Sequence, residues 1–328
     1  MDWSKGFTYK IYARIVDSAS WTDREYINVL DGDIAKTDSD LRESATITVR
    51  DYIGEQWIRV YMDCEQNGDS YHAALFTGLA TSPSKEIDGT VQTIKLQCYS
   101  VLKPLDDVLL PRGWYAQAYR EPSRILDELL APCFAPVEYG DDLHQLTQHL
   151  VAEENESNLT MLNKILRALN LTLRIDGSGK IKIDVSSTEP LATFTPNGYD
   201  IIEPQLTYRN DWYSCPNVLM AISEELMAIA RDDAEDSPLS TINRGREIWL
   251  EDDSVDLADN ETLAEYAKRR LREEQMTVES LEYKRRYIPD INVGDIVQLR
   301  YPDFAGIYKI MSQKYGMDGS VSEEVARL

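Results

Sequence analysis

Histidine is nearly missing from this chain: three residues among 328. His72 lies in a strand-like run. His144 and His149 stand five apart, which on one helix turns them roughly 140° from each other. That helix alone offers no shared metal site, although Asp141 and Asp142 are close in sequence. The H-E-x-x-H pattern of zinc hydrolases and the G-x-S-x-G of nucleophile elbows are absent. The glycine-rich DGSGK at 176–180 lacks the interval and the Ser/Thr of a phosphate loop, and it separates two strand-like runs, so it reads as a hairpin turn. No cofactor, metal or catalytic residue is expected.

Cysteine is scarce and scattered, at positions 64, 98, 133 and 215, which argues against a disulfide framework or a zinc cluster and for buried free thiols. No run approaches the roughly 18 apolar residues of a membrane helix, and stable membrane binding is not expected. The opening MDWSKGFTYK has no apolar signal region, so export by a cleaved peptide is not expected either. Positive charge is the minority: 34 basic against 57 acidic residues gives a net charge of −23. Residues 125–163 hold eight carboxylates and no Lys or Arg. Such a surface repels phosphate backbones and disfavours stable nucleic-acid binding. Trp57, Trp114, Trp212 and Trp249 are dispersed and form no stacking platform for bases.

What is present is strand periodicity. In FTYKIYARI (7–15), apolar residues fall at every second position, and comparable runs follow at 25–30, 44–52, 56–64, 71–81 and 90–100. Asp88-Gly89 suits a tight hairpin, and the acidic stretch 31–44 reads as a long exposed loop. These strands predict a small antiparallel barrel or sandwich over 1–101. The period then changes. EPSRILDELLA (121–131) and NESNLTMLNKILRALN (155–170) carry helical stripes, LHQLTQHLV (143–151) is a shorter candidate helix, and LTLRI-DGSGK-IKIDV is a hairpin. Residues 102–187 thus read as an α/β insert.

A linker near 188–198 leads to a second β-rich unit, 188–328, with one long helix, NETLAEYAKRRLREEQM, that Asn260 is placed to cap. Phe76-Thr-Gly78-Leu79 opens a strand that ends at Asp88-Gly89, and Phe304-Ala-Gly306-Ile307 opens one that ends at Asp318-Gly319. This short echo points to two related β-modules around an insert. The fold class is therefore α+β and β-rich. A basic cluster in the long helix, Lys268, Arg269 and Arg272, echoed by Arg285 and Arg286, is either paired locally or a subunit contact for an acidic neighbour. Paired carboxylates for glycan hydrolysis find no specific candidates; Glu153, Glu154 and Glu156 precede a helix and favour its N-terminus. The aromatic RGWYAQAY (112–119) is either an exposed binding edge or packing at a domain junction.

The order of these elements resembles the central hub proteins of bacteriophage tail tips and baseplates, with their prophage and contractile-injection relatives. The features that match are SATITVRDY and ALFTGLAT, ILDELLAP, ESNLTMLNKILRALNLTLRIDGSGKIKI, the SPLSTINRGRE loop, NETLAEYAKRRLREEQ and INVGDIVQLR followed by GIYKI. The resemblance implies two tube-protein-like β-barrels flanking the insert. It also implies a homotrimer whose six barrels imitate the hexameric tail tube while presenting threefold symmetry to a spike or tip. Partners implied are the tail tube, spike or tip, tape measure and distal tail or baseplate proteins, with DNA only in transit through an acidic channel. The place implied is the distal tail of a virion assembled in the bacterial cytoplasm, and the role is not enzymatic. With its end at Leu328 the chain reads as a minimal hub. The alternatives are a tail-tip cell-wall glycan hydrolase and a receptor-binding module.

Overall fold

The computed structural model describes all residues except 4, 52–53, 89–90, 142, 186–188, 196–205, 211, 224–225, 254, 256–260, 277–278 and 303. Gly89, Asp142, Asn260 and positions 188 and 196–198 of the expected linker therefore lie outside the described residues, while the rest of that linker includes a short strand, Ala192–Phe194. Period-two sequences form the first seven strands: β1 (Thr8–Val16), β2 (Asp23–Ile27), β3 (Val29–Thr37), β4 (Glu43–Val49), β5 (Gln56–Gln66), β6 (Asp69–Asp88) and β7 (Val91–Ser100). In β4, Ala45, Ile47 and Val49 alternate inward. They join Ile34, Ile58, Phe76 and Leu96 in one apolar core. Phe76, fully buried, folds its ring over Gly78, where a β-carbon would stand 2.4 Å from the ring. The glycine of the motif is required by that close approach.

Eight short elements follow: α1 (Lys103–Asp107), β8 (Tyr115–Ala116), α2 (Pro122–Leu130), β9 (Val137–Tyr139), β10 (Leu150–Val151), α3 (Asn158–Ala168), β11 (Leu171–Ile175) and β12 (Ile181–Val185). Pro122 occupies the first turn of α2, where its missing N–H costs nothing. Ser157 caps α3 by accepting the Thr160 N–H at 3.2 Å. Ile125, Leu126 and Leu129 of α2 share a core with Leu159, Leu162 and Ile165 of α3. Each such fully buried side chain stabilises the fold by about 1.5–3 kcal/mol relative to exposure. The same core takes in Val16 and Trp57, so it is continuous with the end of the N-terminal strands.

The candidate helix at 143–151 does not form. Its backbone is taken by RGWYAQAY instead: β10 pairs with β8, the Leu146 carbonyl accepts from Tyr119 N–H at 2.8 Å, and His149 Nδ1 accepts from Ala118 N–H at 3.0 Å. Tertiary pairing overrides a short helical pattern.

The remaining elements are β13 (Ala192–Phe194), β14 (Thr207–Asn210), β15 (Val218–Ser223), β16 (Leu226–Arg231), α4 (Thr241–Arg244), β17 (Trp249–Asp252), α5 (Leu263–Met276), β18 (Glu279–Arg286), β19 (Ile296–Leu299), β20 (Gly306–Gly316) and β21 (Ser320–Arg327). Thr262 and Glu265 cap α5 reciprocally: the Thr262 N–H donates to the carboxylate at 2.9 Å and the Glu265 N–H to the Thr262 hydroxyl at 3.3 Å. Strands β15, β16 and β17 form a separate three-stranded sheet, on which Tyr266, Ala267 and Leu271 of α5 bury Leu219, Ala221 and Ala230. The C-terminal part is thus two structures, a large-sheet portion and a small α/β unit between β14 and β18.

The chain is a β-rich α+β protein. A thirteen-stranded sheet runs through both ends of it, in the order β14-β18-β21-β20-β3-β4-β7-β6-β5-β1-β2, with β19 and β13 attached beside β20. The stretch 31–44, expected as an exposed loop, is largely strand: Ile34 is fully buried and β3 is hydrogen-bonded to β4 on one side and β20 on the other. Asp and Gly here report exposure of one face only, and pairing on both edges outweighs their turn preference.

Candidate assembly surfaces

The two ends of the large sheet repeat one arrangement. In the N-terminal set, β3, β4, β5, β6 and β7 are the first to fifth strands in chain order, and they lie side by side as first-second-fifth-fourth-third. In the C-terminal set, β14, β18, β19, β20 and β21 lie in the same order. Every neighbouring pair is antiparallel in both sets. Both fourth strands also carry one extra residue against the fifth, between Thr81 and Ser84 in β6 and between Ile310 and Ser312 in β20. With Gly78 matched to Gly306, Ser84 and Ser312 fall at the same place. The echo Phe-x-Gly-aliphatic is the visible trace of a duplicated strand plan.

The sets join where β20 meets β3. The N-terminal half of β20 pairs with β19; past its bulge, Ser312–Gly316 pairs with Thr37–Asp33. Beneath this seam runs a buried polar chain. Arg285, at 0% exposure, donates to Glu323 at 2.5 Å, and the Gln313 amide donates to the same carboxylate at 2.7 Å. Tyr315 donates its hydroxyl to Gln313 at 3.1 Å. Lys36 approaches Glu43 only to 3.7 Å, and neither Glu43 oxygen has a hydrogen-bond donor among the described residues. Burial outweighs that distant ammonium and pushes the Glu43 carboxyl up to about 8.

A second joint fixes the insert to the N-terminal strands. The turn at 176–180 seats on β5 and β6: Trp21 Nε1 and an Arg59 guanidinium nitrogen both donate to the Ser178 carbonyl at 3.0 Å, and Thr77 donates its hydroxyl to the Gly177 carbonyl at 2.8 Å. Arg59 is itself held by Asp23 at 2.8 Å. Arg174 on β11 pairs with Asp295 at 2.9 Å, which ties the insert to the C-terminal set as well.

No protein-family model matches the sequence, and no curated protein matches it. Among solved structures, the tail protein from Neisseria meningitidis superposes with a TM-score of 0.71 at 13% identity, covering 97% of this chain and 96% of that one. The 43 kDa tail protein of prophage MuSo2 from Shewanella oneidensis gives 0.69 at 15% identity, over 98% and 97%. Prophage tail protein gp18 from Listeria monocytogenes gives 0.54 at 11%, over 96% and 94%. The chain has the fold of prophage tail proteins.

On this tail-protein fold the basic residues singled out in the sequence do not form one patch. Arg269 is half-buried and held by Glu261 and Glu273, both at 2.9 Å. Lys268 and Arg272 are exposed on the same helix. Arg285 is inside the seam and reaches no surface; Arg286, its neighbour on β18, is half-buried. Basic composition alone does not reveal the polar chain at the seam; the signal is Leu281-x-Tyr283-x-Arg285, whose alternation turns the arginine inward.

Among the described residues no three His, Cys, Asp or Glu side chains are grouped to hold a metal. His72 lies on β6 with Nδ1 2.6 Å from Asp63. Glu156 is buried against Lys164 at 3.0 Å, a structural pair at the start of α3. Cys64, Cys98 and Cys133 are free, and burial pushes the Cys64 and Cys98 thiols up to about 11 and about 12, which keeps them protonated and inert. Of RGWYAQAY, Trp114 packs on the insert core while Tyr115 and Tyr119 are 51% and 71% exposed.

Proposed function

We propose that this protein is the structural hub of a phage tail tip or baseplate, a homotrimer that joins the hexameric tail tube to a threefold spike or tip. The observation that carries this reading is the strand plan repeated within one chain. Three copies supply six equivalent modules, a ring that matches a hexameric tube on one side, while the two inserted α/β units, present once per chain, mark threefold symmetry on the other. The fold shared with prophage tail proteins supports a place in the virion tail and a role in assembly, not catalysis.

In this reading each strand set is a tube-like β-barrel, 1–101 and 188–328 with the insert 102–187 between them, and the ring forms part of the DNA-ejection channel. A net charge of −23 keeps phosphate backbones from sticking as DNA passes. Lys268 and Arg272 contribute a contact to an acidic face of a neighbouring subunit. Tape measure, tube, and distal tail or baseplate proteins complete the surroundings. Light scattering, with and without tube and tip proteins, and imaging of the resulting particles test this: a threefold ring with two equivalent modules per chain is expected, and a chain that stays monomeric in every mixture overturns it.

A further inference from the structure

The seam inside the chain shows how two kinds of strand edge fit together. It joins the far end of a fourth strand, β20, to the free edge of a first strand, β3. Because the strand plan is duplicated, the molecule owns a second fourth strand, β6, and a second first strand, β14. Both present the corresponding edges without a partner among the described residues. Strand β5 leaves β6 at Ala80, so Ser84–Asp88 is paired only to β7. Strand β14 is paired only to β18, and all four of its residues are exposed. A head-to-tail contact of this kind repeats from copy to copy until the ring closes.

We propose that the end of β6, at Ile87 and Asp88 of one protomer, anneals antiparallel to Asn210 and Arg209 on the β14 edge of the next, in the register that β20 and β3 use within the chain. This rests on the ring reading above and deepens it by naming the joint. The register follows from the ladders. Matching Ser84 with Ser312 places Lys95 with Glu324 and Leu96 with Val325, the fifth-strand partners. Leu96 pairs with Ile47 and Val325 with Leu281, so those correspond. Ile47 pairs with Gly32 and Leu281 with Tyr208, so Gly32 corresponds to Tyr208 and Ile34 to Asn210. Within the chain Tyr315 faces Ile34. Between chains, therefore, Ile87 faces Asn210.

Burial agrees with that correspondence. Tyr315, covered at the seam, is 7% exposed, whereas its counterpart Ile87 is 68% exposed. An isoleucine on an open strand edge is a surface awaiting a partner strand. The occupant is a second copy of this chain, because the complementary edge is carried by the same molecule and the intramolecular joint shows that the two edge types fit.

The test is a double variant, Ile87→Cys with Asn210→Cys, in the full chain. Opposed residues on antiparallel strands have Cα atoms about 4.5–5.5 Å apart, within disulfide range. Both positions are exposed, so a melting temperature near the native value verifies that the variant folds. Mild oxidation is expected to give covalent trimers on a non-reducing gel, and the pairing Ile87→Cys with Thr207→Cys, three residues out of register, at least ten-fold less. Trimers by light scattering that yield no 87–210 bond overturn the strand joint and leave the ring reading intact. A cross-linked ladder that continues past three chains supports the joint and overturns the trimer. A monomer that never cross-links, with or without tube and tip proteins, overturns both.

Discussion

Gly177 lies so close to Ala74 that a β-carbon added to it would stand 1.7 Å from the Ala74 carbonyl oxygen. The contact is between backbones, the insert turn against strand β6, so neither side can rotate away. Glycine is thus needed for approach, and the DGSGK turn serves as the latch between insert and strands. Gly177→Ala is expected to destabilise the protein by about 2–3 kcal/mol, the scale of a clash in a well-packed interior, or to lift the turn off the sheet. A thermal melt measures the first outcome and limited proteolysis near residue 177 the second; a native melt with native protection would show that the turn is not a latch.

Arg285 and Glu323 are both fully buried beside the seam. Removing one partner leaves the other charge stranded, at a cost of about 3–5 kcal/mol. Arg285→Met should therefore lower the urea midpoint strongly. Adding Glu323→Gln removes the stranded charge while keeping an acceptor for Gln313, and is expected to recover at least half of the loss. Equal midpoints for the single and double variants would mean that the two side chains do not interact.

The sequence made some of this legible and hid the rest for physical reasons. Strands with one buried face, such as β4 and β18, and helices with a long stripe, such as α3, announce themselves by period. Strand β3 did not, because Asp31, Gly32 and Asp33 look like a turn and its burial comes from strands distant in sequence. The 143–151 stretch deceived in the opposite sense: its leucines face a core, but its backbone bonds to residues 115–119. For the assembly surfaces, the Phe-x-Gly echo was readable while the shared strand order was not, since β14 and β18 are separated by an inserted unit. By composition Arg285 belongs with the surface bases, whereas its alternation with Leu281 and Tyr283 places it inside.

Glu43 gives the protein a pH dependence of definite sign. Its carboxyl rises from an ordinary 4.5 to about 8 on folding, first because burial penalises the charge. The folded state therefore binds the proton more tightly than the unfolded chain. The stabilisation is complete below about pH 4.5 and is lost as pH rises through about 8. At about 1.4 kcal/mol per pH unit the full swing is a few kcal/mol, up to about 5. Glu43→Gln should be more stable than the native chain above pH 8 and flatten the stability profile between pH 5 and 9. A profile unchanged by the substitution would show that the carboxyl is ionised in the folded protein without cost.

The two exposed bases of α5 separate assembly from folding. Lys268 and Arg272 lie one turn apart on the outer face, whereas Arg269 and Arg270 are bound to carboxylates of their own surroundings. Reversing the exposed pair with Lys268→Glu and Arg272→Glu should change folding stability by no more than about 0.5 kcal/mol, as for ordinary surface positions. If the pair meets an acidic neighbour, the same change replaces attraction with repulsion at the contact, and association should weaken by at least about ten-fold. The native association should also weaken as salt rises from 0.05 to 0.5 M, on the order expected when screening shortens from about 14 Å to about 4 Å, and the reversed variant should lose that salt dependence. Sedimentation across both salt conditions measures all of these at once. A variant that trimerises like the native chain, with the same salt response, would assign the two bases to solvent and leave the strand edges to hold the ring.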